Sequence, residues 1–231
     1  MSQQSKLFAI TVIAAAAACL VGAMLLTNGL EHWAMFGHCL ALALVSSTFK
    51  IRLPGMRSTI AGSFVLFLVA IASLNFAETL ILTVPCTVLQ CLWRTRSRPA
   101  AIAVVFSVAS TVVSTSAAAL LFYSVDRAGT LVPALIVAAT VYFFVNSWLI
   151  AAIVGLTRSE SISRLWRDIH RWALPYYLGG AIIASVVVAY SRLTGFHQAL
   201  AMTPLLYAVY VCYESYVSSE SKRLETGTVT H

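Results

Sequence analysis

Eight apolar segments, separated by short polar stretches, follow one another along the chain. A membrane-spanning helix needs about 20 apolar residues, because each residue advances about 1.5 Å through a hydrocarbon core about 30 Å thick. The pattern therefore predicts an all-α, polytopic membrane helix bundle with about eight transmembrane helices. The predicted spans are Leu7–Leu26, Trp33–Phe49, Ile60–Leu74, Thr79–Trp93, Ala100–Tyr123, Leu131–Leu156, Tyr176–Tyr190 and Phe196–Tyr216.

Four of these segments (the second, third, fourth and seventh) are short, which predicts helices with little tilt or a partly re-entrant course. A turn is expected at Asn75–Glu78, because one helix from Ile60 to Trp93 would overshoot the bilayer. The first segment is too long for the apolar region of a signal peptide and is interpreted as a retained anchor. The bundle is thus expected to cover residues 1–217, with a cytoplasmic tail over 218–231.

The composition agrees with a membrane-embedded chain. Hydrophobic residues make up 60% of it and charged residues 10%, whereas an ordinary soluble domain has about 25% charged residues. A soluble fold of this size could not bury so much apolar surface. The formal net charge of +7 resides in short loops between apolar runs, which is typical of membrane topology and not of a nucleic-acid groove. The expected partner is therefore the lipid bilayer, and nucleic acid is excluded.

The cations are distributed asymmetrically between the two faces of the predicted bundle. Of the 15 lysines and arginines, only Arg127 and Arg192 fall on one side. The positive-inside rule assigns the opposite side, and with it both termini, to the cytoplasm. One cytoplasmic turn is predicted from a cluster of cations around a Pro-Gly pair: Lys50, Arg52, Pro54, Gly55 and Arg57.

The polar stretch before the seventh span is itself periodic. Over about residues 161–174, apolar residues recur at helical spacing and charged residues lie largely on the opposite side. This pattern predicts an amphipathic helix in the cytoplasmic interface, with its arginines near anionic headgroups and its tryptophans at the lipid boundary. The alternative is a cytoplasmic extension of the sixth span. The residues concerned are Ile162, Leu165, Trp166, Ile169 and Trp172 on one side, and Arg164, Arg167, Asp168 and Arg171 on the other.

Catalytic motifs are not found in the sequence, which has no HExxH, no GxSxG and no phosphate-binding glycine loop. We therefore expect no enzymatic activity, and the sequence indicates no particular cofactor. His32 and His38 are weak candidates for binding a metal or haem, because two histidines without a second pair of ligands elsewhere seldom bind one. The five cysteines lie mostly in apolar segments without metal-ligand spacing and are interpreted as small buried hydrophobes.

Polar residues inside the predicted spans are better candidates for a site, because placing a polar group in hydrocarbon costs free energy unless the group is paired with another polar group. Hydroxyl groups form one stripe on the fourth span and another on the fifth. Each stripe is either a helix-packing surface, as small hydroxyl residues often are, or the wall of a polar pocket. Gly180 and Ala184 fit the same packing pattern. The candidate ligand-binding residues are Asn75 and Glu78, at the predicted extracytoplasmic turn between the third and fourth spans, and, within the spans, Thr83, Thr87, Gln90, Ser107, Ser110, Thr111, Ser114 and Asn146.

Two long stretches, "FKIRLPGMRSTIAGSFVLFLVAI" and "ETLILTVPCTVLQCLWRTRSRP", resemble the N-terminal membrane module (MASE-like) of bacterial HD-GYP and GGDEF signalling proteins of the acidobacterial type. The later stretches "VYFFVNSWLIAAIVGL" and "WALPYYLGGAIIA" are similar to that module's later spans, so the likeness covers about residues 49–216. The resemblance implies a multi-span input domain that passes a cue to a cytoplasmic output domain for cyclic-dinucleotide turnover. No cyclase, phosphodiesterase or kinase motif follows the eighth span within these 231 residues, which makes the chain either a standalone relative or a piece of a larger protein.

The expected function is therefore that of a sensory or signal-input module in the bacterial inner membrane, with a cytoplasmic signalling partner or a second copy as its partner. A cue would enter near Asn75–Glu78 and alter the packing of the fourth to sixth spans. A small-molecule transporter, or its substrate-binding subunit, is the first alternative, since Pro85 and Pro204 interrupt the fourth and eighth spans. An accessory subunit of a larger membrane complex is the second.

Overall fold

A computed structural model describes most of the chain. The described residues are 3–27, 31–52, 59–93, 95, 99–126, 129–158, 160–195, 211 and 215. Side chains are not described at 50–52, 59–61 and 168–172. Of the predicted eighth span, only Val211 and Ser215 are described, both as helical, so that span and the tail lie outside the described residues.

Seven helices and a two-stranded hairpin make up the described part of the chain. The all-α character of the bundle is confirmed, and seven of the eight apolar segments contain a helix. Four helical stretches (α1, α5, α6 and the Ala173–Thr194 part of α7) are long and apolar enough to cross a membrane. The elements are α1 Gln3–Leu26, α2 Trp33–Ser47, β1 Lys50–Arg52, β2 Thr59–Ala61, α3 Ser63–Ser73, α4 Phe76–Leu92, α5 Ala101–Asp126, α6 Leu131–Arg158 and α7 Ile162–Thr194.

The third predicted span is wrong at its start. Residues Thr59–Ala61 form a strand instead of the first turn of a helix, and they pair antiparallel with Lys50–Arg52. The register pairs Ile51 with Ile60, and β-branched residues such as these favour extended backbone. Lys50 and Arg52 of the predicted cationic turn thus lie in the first strand of a β-hairpin, and Pro54, Gly55 and Arg57 lie outside the described residues.

Helix α3 lies at the centre of the bundle. Every residue from Ser63 to Ile71 is buried, and the helix contacts α2, α4, α5, α6 and α7. A helix that is apolar on all sides must be surrounded by protein or by lipid, and here the surroundings are protein. Its 11 residues rise about 16 Å, roughly half the thickness of a hydrocarbon core. The short third segment is therefore a central half-length helix joined to a hairpin.

Helix α1 packs on the bundle through one narrow face. Its buried residues include Ala9, Ala16 and Ala23, spaced by seven, and it contacts α5 and α4. Small residues at this spacing allow two helix backbones to approach closely, which is how membrane helices associate without a hydrophobic driving force. Only 22% of its most apolar window is buried inside the bundle, so most of the α1 surface is left to contact lipid.

The junction at which α6 ends and α7 begins, called the α6–α7 corner below, differs from the prediction of a separate amphipathic helix. The amphipathic segment is helical, but it continues into the seventh span as the single 33-residue helix α7 and is not a separate interfacial helix. It also packs back along α6: Trp166 stacks on Phe144 with a centroid distance of 5.8 Å, and its indole N–H donates to the Ser147 hydroxyl at 3.1 Å. These contacts, which the periodicity alone does not reveal, hold the segment against α6.

Substitution of Gly155 by alanine is expected to destabilise this corner by about 1–3 kcal/mol, because overpacking forces neighbours to move. A Cβ atom at Gly155 would lie 2.7 Å from Ile162 Cγ1 and 3.0 Å from the Glu160 carbonyl oxygen. Gly37→Ala in α2 is the matched control, since no atom lies within 4 Å of its Cβ position and alanine favours a helix by up to about 1 kcal/mol. Unfolding in detergent, followed by circular dichroism, measures both. Equal stability of the two variants would contradict the close approach of Ile162 to Gly155.

Candidate functional site

The turn at Asn75–Glu78 is confirmed as a helix boundary, since α3 ends at Ser73 and α4 begins at Phe76. Asn75 is the N-cap of α4, and its Oδ1 accepts the backbone N–H of Glu78 at 2.8 Å. In return, Glu78 Oε2 accepts the backbone N–H of Asn75 at 3.0 Å. This reciprocal capping box satisfies two N–H groups that a helix start would otherwise leave without partners.

The same carboxylate also caps a second helix. Glu78 Oε1 accepts the backbone N–H groups of Glu31 and His32, each at 2.8 Å, and His32 is the N-cap residue of α2, whose own side chain makes no cap. The Glu78 side chain is completely buried. One negative charge therefore faces the N-termini of two helices, where the positive ends of the helix dipoles stabilise it. We call Glu31, His32, Asn75 and Glu78 the α2–α4 joint.

The joint requires α2 and α4 to run in the same direction. Cys39 lies within electrostatic range of Glu78, and eight residues further along both helices Ser47 hydrogen-bonds to Cys86. The side chains on this face of α2 are small and buried: Cys39, Ala43 and Ser47 are each at most 1% exposed. Parallel, closely packed helices have their N-termini side by side, which is why one carboxylate can cap both.

Of the joint's two exposed side chains, Glu31 and His32, the one that lies beside the carboxylate is His32. Its side chain is 53% exposed, and its Nδ1 lies 3.7 Å from Glu78 Oε2. Tyr123 of α5 also lies within electrostatic range of the carboxylate, and its hydroxyl is buried without a hydrogen-bond partner among the described residues. A ligand approaching the joint would therefore meet His32 before Glu78, whose oxygens are already occupied by three backbone donors. These contacts favour a structural role for Glu78, and its ligand-binding role stays a prediction.

The hydroxyl stripes on α4 and α5 make mostly local hydrogen bonds. Thr83 and Ser114 are fully buried, and each donates to a carbonyl of its own helix, as do Thr87, Ser107 and Ser110. The acceptors are Leu80 O for Thr83, Thr83 O for Thr87, Ala103 O for Ser107, Ser107 O for Ser110 and Ser110 O for Ser114. Because α4 and α5 contact each other, this arrangement favours the helix-packing interpretation.

Two candidate residues make contacts across helices instead. The Thr111 side chain of α5 hydrogen-bonds to Tyr142 of α6, and Asn146 of α6 hydrogen-bonds to Tyr177 of α7. Gln90, near the end of α4, is partly buried. The candidates therefore fall into three separate places: the joint, the stripes and this interhelical pair of bonds.

The tyrosines belong to an aromatic cluster that the sequence analysis missed. Phe64, at the start of α3, lies 4.4 Å from the Tyr177 ring and 4.9 Å from the Tyr142 ring, measured between centroids. Phe143 lies 5.1 Å from Tyr177. Such ring pairs add about 0.5–1.5 kcal/mol each beyond the area they bury. The signal was present in the runs "VYFF" and "LPYY", but only the fold brings these segments together around α3.

The metal hypothesis gains no support within the described part of the chain, where no group of three or more His, Cys, Asp or Glu side chains is placed to hold an ion. His38 Nδ1 lies 2.6 Å from the Ala34 carbonyl oxygen, one turn earlier on α2. That distance indicates that Nδ1 carries the proton and donates it. The cysteines described by the structure (Cys19, Cys39, Cys86 and Cys91) are not joined to one another by disulfides.

No family model matches this chain, and no curated protein or solved structure is significantly similar to it. The resemblance to membrane modules of HD-GYP and GGDEF proteins therefore stays a prediction from the sequence.

Proposed function

We propose that this chain is a sensory module of the bacterial inner membrane, with eight spans, cytoplasmic termini and no catalytic site of its own. It would receive a cue at the α2–α4 joint, on the extracytoplasmic side, and pass it to a cytoplasmic signalling partner. The observation that supports this proposal is the sharing of the fully buried Glu78 carboxylate between two helix N-termini beside the half-exposed His32. A cue that alters the joint changes the starts of α2 and α4 together.

The path from the joint to the other end of the bundle is short. Helix α2 leads from His32 directly into the hairpin that begins at Lys50, and the hairpin leads into the enclosed helix α3. A shift of α2 relative to α4 would therefore move the hairpin, whose cations the positive-inside rule assigns to the cytoplasm. Such coupling needs an element with two discrete arrangements, and the α2–α4 pair is our candidate for it. The eighth span would transmit the same change in packing to the cytoplasmic tail.

Gene deletion in the host bacterium tests the signalling proposal. Loss of the chain is expected to change the cellular cyclic-dinucleotide level several-fold, and complementation with the wild type should restore it. His32→Gln keeps the backbone N–H that Glu78 accepts but changes the exposed side chain, so it should impair the response. His38→Gln, on the next turns of α2, is the matched control and should complement fully. An unchanged cyclic-dinucleotide level in the deletion strain would reject the proposal.

A transporter is the second candidate, favoured by the half-length helix α3. Transporter sites are often formed by short or interrupted helices near the middle of the bilayer. The first residue of α3, Ser63, is buried inside the bundle, and Pro85 lies inside α4. In addition, the Thr115 hydroxyl is buried without a partner among the described residues. Metabolite profiling of the deletion strain distinguishes the two candidates, because accumulation or depletion of one solute with an unchanged cyclic-dinucleotide level indicates transport.

A further inference from the structure

The Glu78 carboxylate of the α2–α4 joint has one acceptor position left. Its Oε1 accepts two backbone N–H groups, those of Glu31 and His32, each at 2.8 Å. Its Oε2 accepts one among the described residues, the N–H of Asn75 at 3.0 Å. Each carboxylate oxygen has room for two donors, so Oε2 can take one more. The side chain beside it is the His32 ring, whose Nδ1 lies 3.7 Å away, which is too far for a hydrogen bond.

The His32 ring is placed to exchange protons with water outside the bundle. Its side chain is half-exposed, whereas that of Glu78 is fully buried. Both lie at the end of the bundle that the positive-inside rule assigns to the exterior. Histidine is the side chain that changes its charge between about pH 5 and 8. External pH can therefore act on a buried carboxylate through one exposed ring.

Protonation of the ring would complete the carboxylate. A neutral imidazole has one N–H group and a charged one has two, so Nδ1 of the charged ring is always a donor. A charge-assisted hydrogen bond is about twice as strong as a neutral one. The positive ends of the two helix dipoles oppose the new charge, but theirs is spread over the first turns, whereas Oε2 lies at 3.7 Å. The ring belongs to the N-cap residue of α2 and the carboxylate to the first turn of α4, so the bond ties the two helices together.

The other titratable groups around the joint do not take this role. Helix α3 has no titratable side chain. Tyr123 of α5 lies within electrostatic range of Glu78, and Asp126 of α5 is paired with Arg192 of α7 at 3.8 Å. The remaining groups on the neighbouring segments are Glu31, His38 and Cys39 on the α2 side and Cys19 of α1. Of all these groups, the two histidines gain a charge between about pH 5 and 8, and His32 is the one beside Glu78.

We propose that the α2–α4 joint senses external pH: in acid the charged His32 ring binds Glu78 and tightens α2 against α4, and in alkali this contact is lost. The proposal rests on the proposed function and names protons as its cue. Because the carboxylate favours the charged ring, the added stability is present at low pH and disappears as the pH rises through the range in which histidine loses its proton.

Labelling of Cys86 by 4,4′-dithiodipyridine tests the proposal on the full chain in membranes, with the other four cysteines replaced by alanine. Cys86 is buried on α4 and hydrogen-bonds to Ser47 of α2, so its thiol reacts when the two helices separate. Cys39 is less suitable, because it lies within electrostatic range of Glu78. The labelling rate of His32→Gln divided by that of the parent should rise from about one at about pH 8 to about two to five at about pH 5.5, as expected for a partly exposed ion pair. This ratio removes the pH dependence of the thiol reaction itself.

Two further variants separate the charge from the side chain. His32→Lys carries a permanent charge and should label more slowly than the parent at about pH 8 and equally at about pH 5.5. His38→Gln, which replaces the histidine bonded to the Ala34 carbonyl oxygen, is the control and should give a ratio of about one throughout. A His32→Gln ratio that does not change with pH would overturn the proposal, as would an equal effect of His38→Gln. Labelling needs no signalling output, so either result rejects protons as the cue without bearing on the proposed function, which the deletion strain tests.

Discussion

Glu78→Gln is expected to lower the free energy of unfolding by about 3 kcal/mol, since buried donors left without an acceptor cost about 1–3 kcal/mol and more when a charged partner is lost. The carboxylate accepts three backbone N–H groups on its two oxygens. A glutamine side chain has one carbonyl oxygen, and its NH₂ group would face at least one of these donors. It would also remove the charge that stabilises two helix N-termini. Unfolding in detergent, followed by circular dichroism, measures the loss.

Glu31→Gln is the matched control for this prediction. Glu31 lies in the same joint and carries the same charge, but its side chain is exposed and only its backbone N–H bonds to Glu78. Its substitution should change stability by less than about 0.5 kcal/mol, as is usual for surface positions. If both variants unfold alike, Glu78 does not anchor the joint. A loss of signalling in Glu78→Gln is therefore interpretable only beside the measured loss of stability.

Gly180→Leu is expected to destabilise the bundle by about 3 kcal/mol, at the upper end of the usual cost of overpacking. A Cβ atom at Gly180 would already lie 3.1 Å and 3.2 Å from atoms of the Phe64 ring and 3.3 Å from Val65 Cγ2. Phe64 cannot move away easily, because Tyr142 and Tyr177 pack against it. The larger side chain would separate α3 from α7 and disrupt the centre of the bundle.

The neighbouring Gly179 provides the control on the same helix. No atom lies within 4 Å of its Cβ position, so Gly179→Leu should change the free energy of unfolding by at most about 1 kcal/mol, and in the stabilising direction, because leucine favours a helix over glycine. The same detergent unfolding experiment compares the two. Similar losses in both variants would mean that α3 and α7 are not packed as closely as the structure places them.

Most helix boundaries could be read from the sequence, because their causes are local, although α7 begins at Ile162 and not at the predicted Tyr176. Apolar runs of sufficient length and the polar breaks between them predicted the seven described helices, including the turn at Asn75–Glu78. The small-residue pair Gly180 and Ala184 was correctly assigned to packing, since both are buried. The strand at Thr59–Ala61 was missed, because a short apolar run reads equally well as helix or strand until its pairing partner is known.

The candidate site was predictable only in part. Asn75 and Glu78 were singled out because a carboxylate at the outer edge of the membrane can bind a cation or an amine, and the structure shows that backbone N–H groups occupy its oxygens instead. The backbone N–H groups of Glu31 and His32, 47 and 46 residues before Glu78, could not be identified as its partners from sequence. A capping box is a local pattern, whereas a shared cap depends on two helices lying side by side.

By itself the sequence determined that this chain carries helices long and apolar enough to cross a membrane, and where most of its helices begin and end, because both properties follow from hydrophobicity over short windows. Only the tertiary structure decided that Glu78 caps two helices, that α3 is enclosed, and that the amphipathic segment packs along α6 as part of α7. These features depend on contacts between residues far apart in the chain, and neither periodicity nor composition encodes which distant surfaces fit together.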